Sequence, residues 1–369
     1  MKYLVKSITA AVLLLLVLVD VAAAKENPVI RDLEAIISQG QPATVEKFAA
    51  IKQNIEKNPK ETLALLLEKA NTPDLGEERL AVYIWAMGMT KEPAAVDAII
   101  SLSEGKTNEM LHKNACRALA MIGGDKSAEF LFRRLQATSE TMARYYLLDL
   151  LAQLQYLPAL PATVEILQQD SNSTYWQSVF IFGKYGDIAI PFLLSKINDS
   201  NQNIRTNAIM VLGQWLIAVE AFGPLKKQFL AESDPNIRAL ILSSLERTNT
   251  NADDIRTFSE DVLKTETDAK VTQFAFETIS NFEEMKNHIS AFKAGKKVDP
   301  AGFESAYREI YDSMGKSGDY HLLAAASTRA DEARLKKLKE VILQRNSDEC
   351  FHDYQKINDV IMLNRLSAS

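Results

Sequence analysis

The feature that most constrains this chain is a self-repeat. Asn203-Ile204-Arg205 returns 33 residues later as Asn236-Ile237-Arg238, and each triplet follows a polar, acidic turn, Asp199-Ser200-Asn201 and Ser233-Asp234-Pro235. A period of this length is that of two helices and their turns, a unit that buries its apolar face only by stacking on the next. The first triplet opens an apolar run, Thr206 to Gly213. Leu111 to Leu119 fits the same columns, with Ala115 matching Ala208 and Leu119 matching Leu212. Thr174 to Gly183 fits again, with Ser178 at the small position and Phe182 at the large one. Weaker copies begin near Arg79, Met142 and Val271.

Strand signals are nearly absent. Apolar residues recur at helical spacing, as in Leu63-Leu66-Leu67 and Leu131-Leu135, between Pro, Gly, Asn and Asp. Each unit therefore reads as a first helix, a polar turn, and a second helix carrying a small residue where neighbours approach. Pro93, Pro191 and Pro224 fall at or inside the first turn of first helices, where a missing N–H costs little. Gly88, Gly123, Gly183 and Gly213 read as C-terminal caps of second helices.

The runs Ala115 to Asp125 and Phe182 to Pro191 resemble HEAT repeats, closest to the HEAT-like subclass of phycobilisome lyases. The resemblance is good from Pro93 to Leu245. It implies an all-α, α-α superhelix, a HEAT/armadillo-like solenoid of about eight helical hairpins. It also implies that Asp199, Arg205, Asp234 and Arg238 form an Asp–Arg ladder holding successive turns in register. The family includes scaffolds, adaptors, inhibitors and a few lyases, so it is specific for architecture and weak for activity.

The flanks place this solenoid in the chain. Lys2 and Lys6, an apolar run from Ala10 to Val19 and Ala22-Ala23-Ala24 make the three parts of a secretory signal peptide, with cleavage expected after Ala24. The run is shorter than the ~20 residues that span a bilayer, so no transmembrane anchor is expected after cleavage. Residues 25–292 form the expected solenoid, opening with a hairpin over 28–57. The break at 293–300 leads into a helical C-terminal extension, 293–369, expected to cap the stack. There Asn346 and Glu349 are spaced as a capping box.

Loss of residues 1–24 takes two lysines and one aspartate from the 42 basic and 48 acidic side chains, leaving 40 and 47. A mildly acidic chain without a basic block argues against nucleic acid as partner. Two cysteines, Cys116 and Cys350, make no disulfide framework, and they are not expected to pair with each other. Export with so few cysteines points to a bacterial periplasm.

No catalytic residue, cofactor or metal is expected. Four histidines are scattered without metal spacing, and no H-E-x-x-H or G-x-S-x-G run occurs. Within Asp348-Glu349-Cys350-Phe351-His352-Asp353, Cys350 and His352 would point to opposite sides of a helix.

The candidate site comes from the repeat overlay. With Ile204, Ala208, Val211, Leu212 and Trp215 as the buried stripe, the preceding unit matches it with Thr174, Ser178, Ile181, Phe182 and Tyr185. Trp176 and Phe180 then fall off the stripe on one face. In a HEAT-like stack that face is concave, and Tyr145, Gln177, Asn207, Met210 and Gln214 are its expected neighbours. Aromatics with Met and amides suit a groove for another protein or peptide. The alternative is that these residues pack between adjacent second helices. The leading expectation is a non-catalytic protein- or peptide-binding scaffold or adaptor in the bacterial cell envelope. A phycobilin-lyase-like tetrapyrrole handler and a structural component of an envelope assembly, docking through its C-terminal region, are the alternatives.

Overall fold

The structure is a computed structural model that describes residues 27–39, 45–169, 171–248, 251–281 and 332–343, and a few residues between Tyr354 and Arg365. The expected signal peptide, the 293–300 break, the Asn346–Glu349 capping box and Cys350 lie outside the described residues. So does the Asp348–Asp353 cluster. Among the described residues all regular structure is helical, and no helix is long and apolar enough to cross a membrane. The fold is an all-α solenoid of helical hairpins. It divides into two compact units, one ending at Thr138 and the other beginning at Ser139.

The first unit holds α1 (Pro28–Gln39), α2 (Val45–Lys57), α3 (Pro59–Ala70), α4 (Glu77–Met89), α5 (Ala95–Ser103), α6 (Glu109–Ile122) and α7 (Asp125–Ala137). Local chemistry sets these boundaries. The Asn27 side chain accepts the Val29 N–H at 2.9 Å, and Pro59 opens α3 where its missing N–H is harmless. Asn108 caps α6 by accepting the Leu111 N–H at 2.9 Å, and Gly123, at φ 82°, ends it.

Second helices α4 and α6 then meet through an apolar seam of Leu80, Ile84, Met87, Leu111, Ala115 and Leu119, all buried. Gly88 lies inside this seam. A Cβ there would stand 2.5 Å from the Ala118 Cα, so the two backbones touch. Asn114 adds a polar tie, its amide donating to the Ala81 carbonyl at 2.9 Å. Cys116 is buried and free, and burial raises its thiol pKa to about 11.

The second unit begins with α8 (Thr141–Gln153). A 3-10 segment, Leu157–Thr163, then runs into the short α9 (Val164–Leu167). Pro161 sits within that segment and has no N–H to give an α-helical ladder. Next come α10 (Ser171–Tyr185), a 3-10 turn (Gly186–Ala189) leading into α11 (Ile190–Leu194), and α12 (Gln202–Met210), which continues as a π-helical turn over Val211–Trp215. The unit goes on with α13 (Phe222–Ala231), α14 (Pro235–Thr248), α15 (Ala252–Thr265) and α16 (269–281). After the undescribed stretch, α17 (Glu332–Leu343) returns to this unit.

The expected buried stripe is present among the described side chains, and that of Thr174 lies outside them. Ile204, Ala208, Val211, Leu212 and Trp215 are buried, as are Ser178, Ile181, Phe182 and Tyr185.

The glycines correct one expectation. Gly123 does end a second helix, but Gly88, Gly183 and Gly213 lie within helical segments and cap nothing. They are points of close approach. A Cβ on Gly213 would meet the Ser244 Cβ at 2.2 Å and its Cα at 2.7 Å, so the π-turn and α14 touch there as α4 and α6 touch at Gly88.

Candidate functional site

Two polar systems organise the second unit. The first is the ladder between repeats. The guanidinium of Arg205, on α12, pairs with Glu232 in the next turn, Nε to Oε2 at 3.1 Å. Arg238, on α14, repeats the arrangement with Glu266 at 2.9 Å. The ladder is therefore Arg–Glu, which corrects the expected Asp–Arg pairing.

The aspartates do other work. Asp234 caps α14, its carboxylate accepting the Asn236 N–H at 2.7 Å, and it also accepts from Gln202 of the preceding repeat at 2.7 Å. Asp199 accepts the Asn201 N–H at 3.0 Å, and Arg205 reaches only its main-chain carbonyl, at 2.9 Å.

Each glutamate serves a turn as well as its arginine. Glu232 accepts the N–H groups of Ser233 and Asp234, both at 3.1 Å, while facing Arg205. Glu266 does the same for Thr267 and Asp268. Burial pushes the Glu232 carboxyl up, but the Asp234 N–H, Arg205 and Gln228 outweigh it and hold it below the usual carboxylate range.

The second system is the end of the π-turn. Leu216 N–H donates to Val211 O at 2.8 Å, and Ala218 N–H reaches back to Leu212 O at 2.9 Å. Ile217 closes this turn at φ 46°, a left-handed conformation that a β-branched residue rarely adopts and that persists only when its surroundings enforce it. The carbonyls of Gln214, Trp215 and Ile217 accept hydrogen bonds from side chains beyond the turn.

The C-terminal segment satisfies them. Lys339 Nζ, Tyr354 OH and Asn358 Nδ2 donate to Trp215 O at 3.1, 3.0 and 3.1 Å. Asn358 also reaches Gln214 O at 3.2 Å, and Arg365 donates to Ile217 O at 2.7 Å. The Tyr354 ring lies 5.5 Å from that of Trp215, centroid to centroid. Gly183 supplies the floor: a Cβ there would lie 2.4 Å from Leu343 Cδ1 and 3.8 Å from the Tyr354 hydroxyl. Arg365 and Glu332 lock the segment with a two-pronged pair, at 3.1 and 2.7 Å. The described residues of the C-terminal extension are thus seated along α10 and the π-turn.

This seat revises the expected groove. Asn207 is fully buried, its amide donating to the Leu167 and Gln169 carbonyls at 2.9 and 3.1 Å, where it caps α9 instead of facing a groove. Tyr145 and Met210 are buried as well, with burial and then Glu165 raising the Tyr145 hydroxyl pKa. These three residues do not line an open surface. Gln177, Phe180 and Gln214 are half-buried. The Gln214 main chain is already engaged by Asn358, and Lys184 lies 5.8 Å from the Phe180 ring centre. Trp176 is helical, and its side chain lies outside the described residues.

A model of HEAT repeats matches residues 63–152. The chain carries HEAT repeats. No curated protein matches it. HEAT repeats commonly serve as protein-binding scaffolds. Among the described residues no group of three or more His, Cys, Asp and Glu could hold a metal ion.

Two features of the site escaped the sequence reading. Glu232-Ser233-Asp234 and Glu266-Thr267-Asp268 recur 34 residues apart, and overlaying them would have named the arginine partners. The donors Lys339, Tyr354, Asn358 and Arg365 belong to no repeat column, and nothing in the periodicity assigns them a place on α12.

Proposed function

We propose that this protein is a non-catalytic, exported protein-binding scaffold of the bacterial envelope that recognises helical segments through the second-helix face of its second unit. The observation that carries this reading is the seat itself. Three main-chain carbonyls, a glycine floor and a tryptophan ring accept a helical segment whose donors match them. A face with such features is a helix-recognition surface of the helix-in-groove kind, with backbone acceptors added. The half-buried edge at Gln177, Phe180 and Gln214 extends it beyond the seated segment. Export is inferred from the basic, apolar and small-residue parts of the first 24 residues.

Site-specific photo-crosslinking of the full chain in its native cells tests the face. A photo-reactive residue at Gln177 should give discrete protein adducts. The same residue at Lys227, exposed on α13, should give none. Adducts of equal yield from both positions, or from Lys227 alone, would refute the assignment. Export is tested by the N-terminus of the protein recovered from the periplasm, expected at Lys25.

A further inference from the structure

Between the seated C-terminal segment and α10 lies a cavity of about 210 Å³. It is lined by Gly183, Tyr185, Asp187, Ile188, Leu216, Lys336, Lys339 and Tyr354, among others. That is several times the roughly 30 Å³ share of one water molecule in the liquid.

Among the described residues its charges do not balance. Lys339 is almost wholly buried and no carboxylate of the described residues pairs with it; its ammonium has the Trp215 carbonyl at 3.1 Å and the Tyr354 ring at 4.4 Å. The nearby carboxylates of the described residues are already taken. Asp187 pairs with Lys336 at 2.8 Å, and Glu332 pairs with Arg365 at 2.7 Å and Lys336 at 3.6 Å. On α10, Lys184 is paired with Asp149. With Lys339 charged, the cluster holds three cations, Lys336, Lys339 and Arg365, against two carboxylates, Asp187 and Glu332.

We propose that this cavity is a binding site for a small monocarboxylate, whose anionic head pairs with Lys339 and whose short apolar end lies against Ile188, Leu216 and the tyrosine rings. One negative charge completes the balance that the described residues leave open. Lys339 supplies the contact because an ammonium has three N–H groups and the Trp215 carbonyl uses one. The hydroxyls of Tyr185 and Tyr354 already donate to Tyr156 O and Trp215 O, so the rings shape the cavity and do not anchor the head.

Electrostatics points the same way. Burial, then the neighbouring Lys336, brings Lys339 down to about 7. A carboxylate against Lys339 favours its charged form, so binding takes up protons near neutral pH. Because the site is closed on one side by the C-terminal segment, an occupant also ties that segment to α10.

The test is thermal unfolding of the full chain at pH 6, with sodium chloride replaced stepwise by sodium acetate at constant ionic strength. The melting midpoint should rise by about 2–4 °C and saturate. The Lys339→Met variant, which keeps the length and removes the charge, should show no rise, and Lys227→Met, an exposed control, should keep it. A titration of the Lys339 Cε chemical shift in the wild-type chain reads the same contact without any variant. No saturable change in either measurement, or an equal rise in Lys339→Met, would overturn the site. An absent acetate effect would leave the crosslinking at Gln177 unaffected, so the two readings fail separately.

Discussion

Gly88 and Gly183 stand near the ends of second helices in the two units, and they meet different neighbours. At Gly88 the helix backbone touches the next second helix, with Ala118 Cα at 2.5 Å from a would-be Cβ. At Gly183 the nearest atom is Leu343 Cδ1, from a segment far along the chain, and the next is at 3.7 Å. The same small residue serves stacking in the first unit and the reception of a distant helix in the second. Gly213, against Ser244, shows that the second unit also keeps the stacking use. A solenoid that contacts only its neighbours needs the first use alone. The second use is the departure from a plain repeat array.

The largest expected effect is at Trp215, which is buried and carries both the stripe and the seat. Trp215→Ala should cost about 3–5 kcal/mol in urea melts, as loss of a large core aromatic does. A cost near that of a surface site would mean the second unit does not close around this residue.

Arg205→Met should come next, at about 1.5–3 kcal/mol, since it leaves a buried carboxylate without its cation. Its acid limb carries a sign. Glu232 has its pKa lowered on folding, so its contribution is present above the ordinary carboxylate value of about 4.3 and is lost as pH falls through the folded value. Wild-type stability should therefore fall more steeply below about pH 4.3 than that of Glu232→Gln. Parallel slopes would contradict the ladder.

The glycines give the direct contrast. Gly88→Ala and Gly213→Ala should each cost about 1–3 kcal/mol, because the clash is with backbone as well as side chain. Gly183→Ala should be the mildest, below about 1 kcal/mol, because the end of the Leu343 side chain can turn away. Its signature is easier proteolysis of the C-terminal segment while the repeats stay folded. Equal costs at all three glycines would erase the distinction between stacking and seating.

Much of the fold was legible because one overlay of the Asn-Ile-Arg triplets sets the register of a whole helix. Ser178, Ile181, Phe182 and Tyr185 are buried as that register requires. The glycines were misread because a cap and a close approach leave the same mark, a glycine at the end of an apolar run. Asn207 was misread because an amide beside the stripe suits a groove as well as an unsatisfied helix end. In the structure the α9 carbonyls claim it. The seat was invisible because Lys339 and Trp215 lie 124 residues apart, and periodicity reports only what each element buries, never a distant partner.

The central claim, that the face made by α10 and the π-turn accepts a helical segment and holds the chain's own C-terminal one, is tested most directly by amide hydrogen exchange of the full chain over residues 332–343. The account predicts slow exchange in the wild-type protein. It predicts marked acceleration in Asn358→Ala, which removes a donor to both Gln214 O and Trp215 O, with protection of α4 and α6 unchanged. Exchange over 332–343 as fast as in an unstructured peptide, already in the wild-type chain, would contradict it.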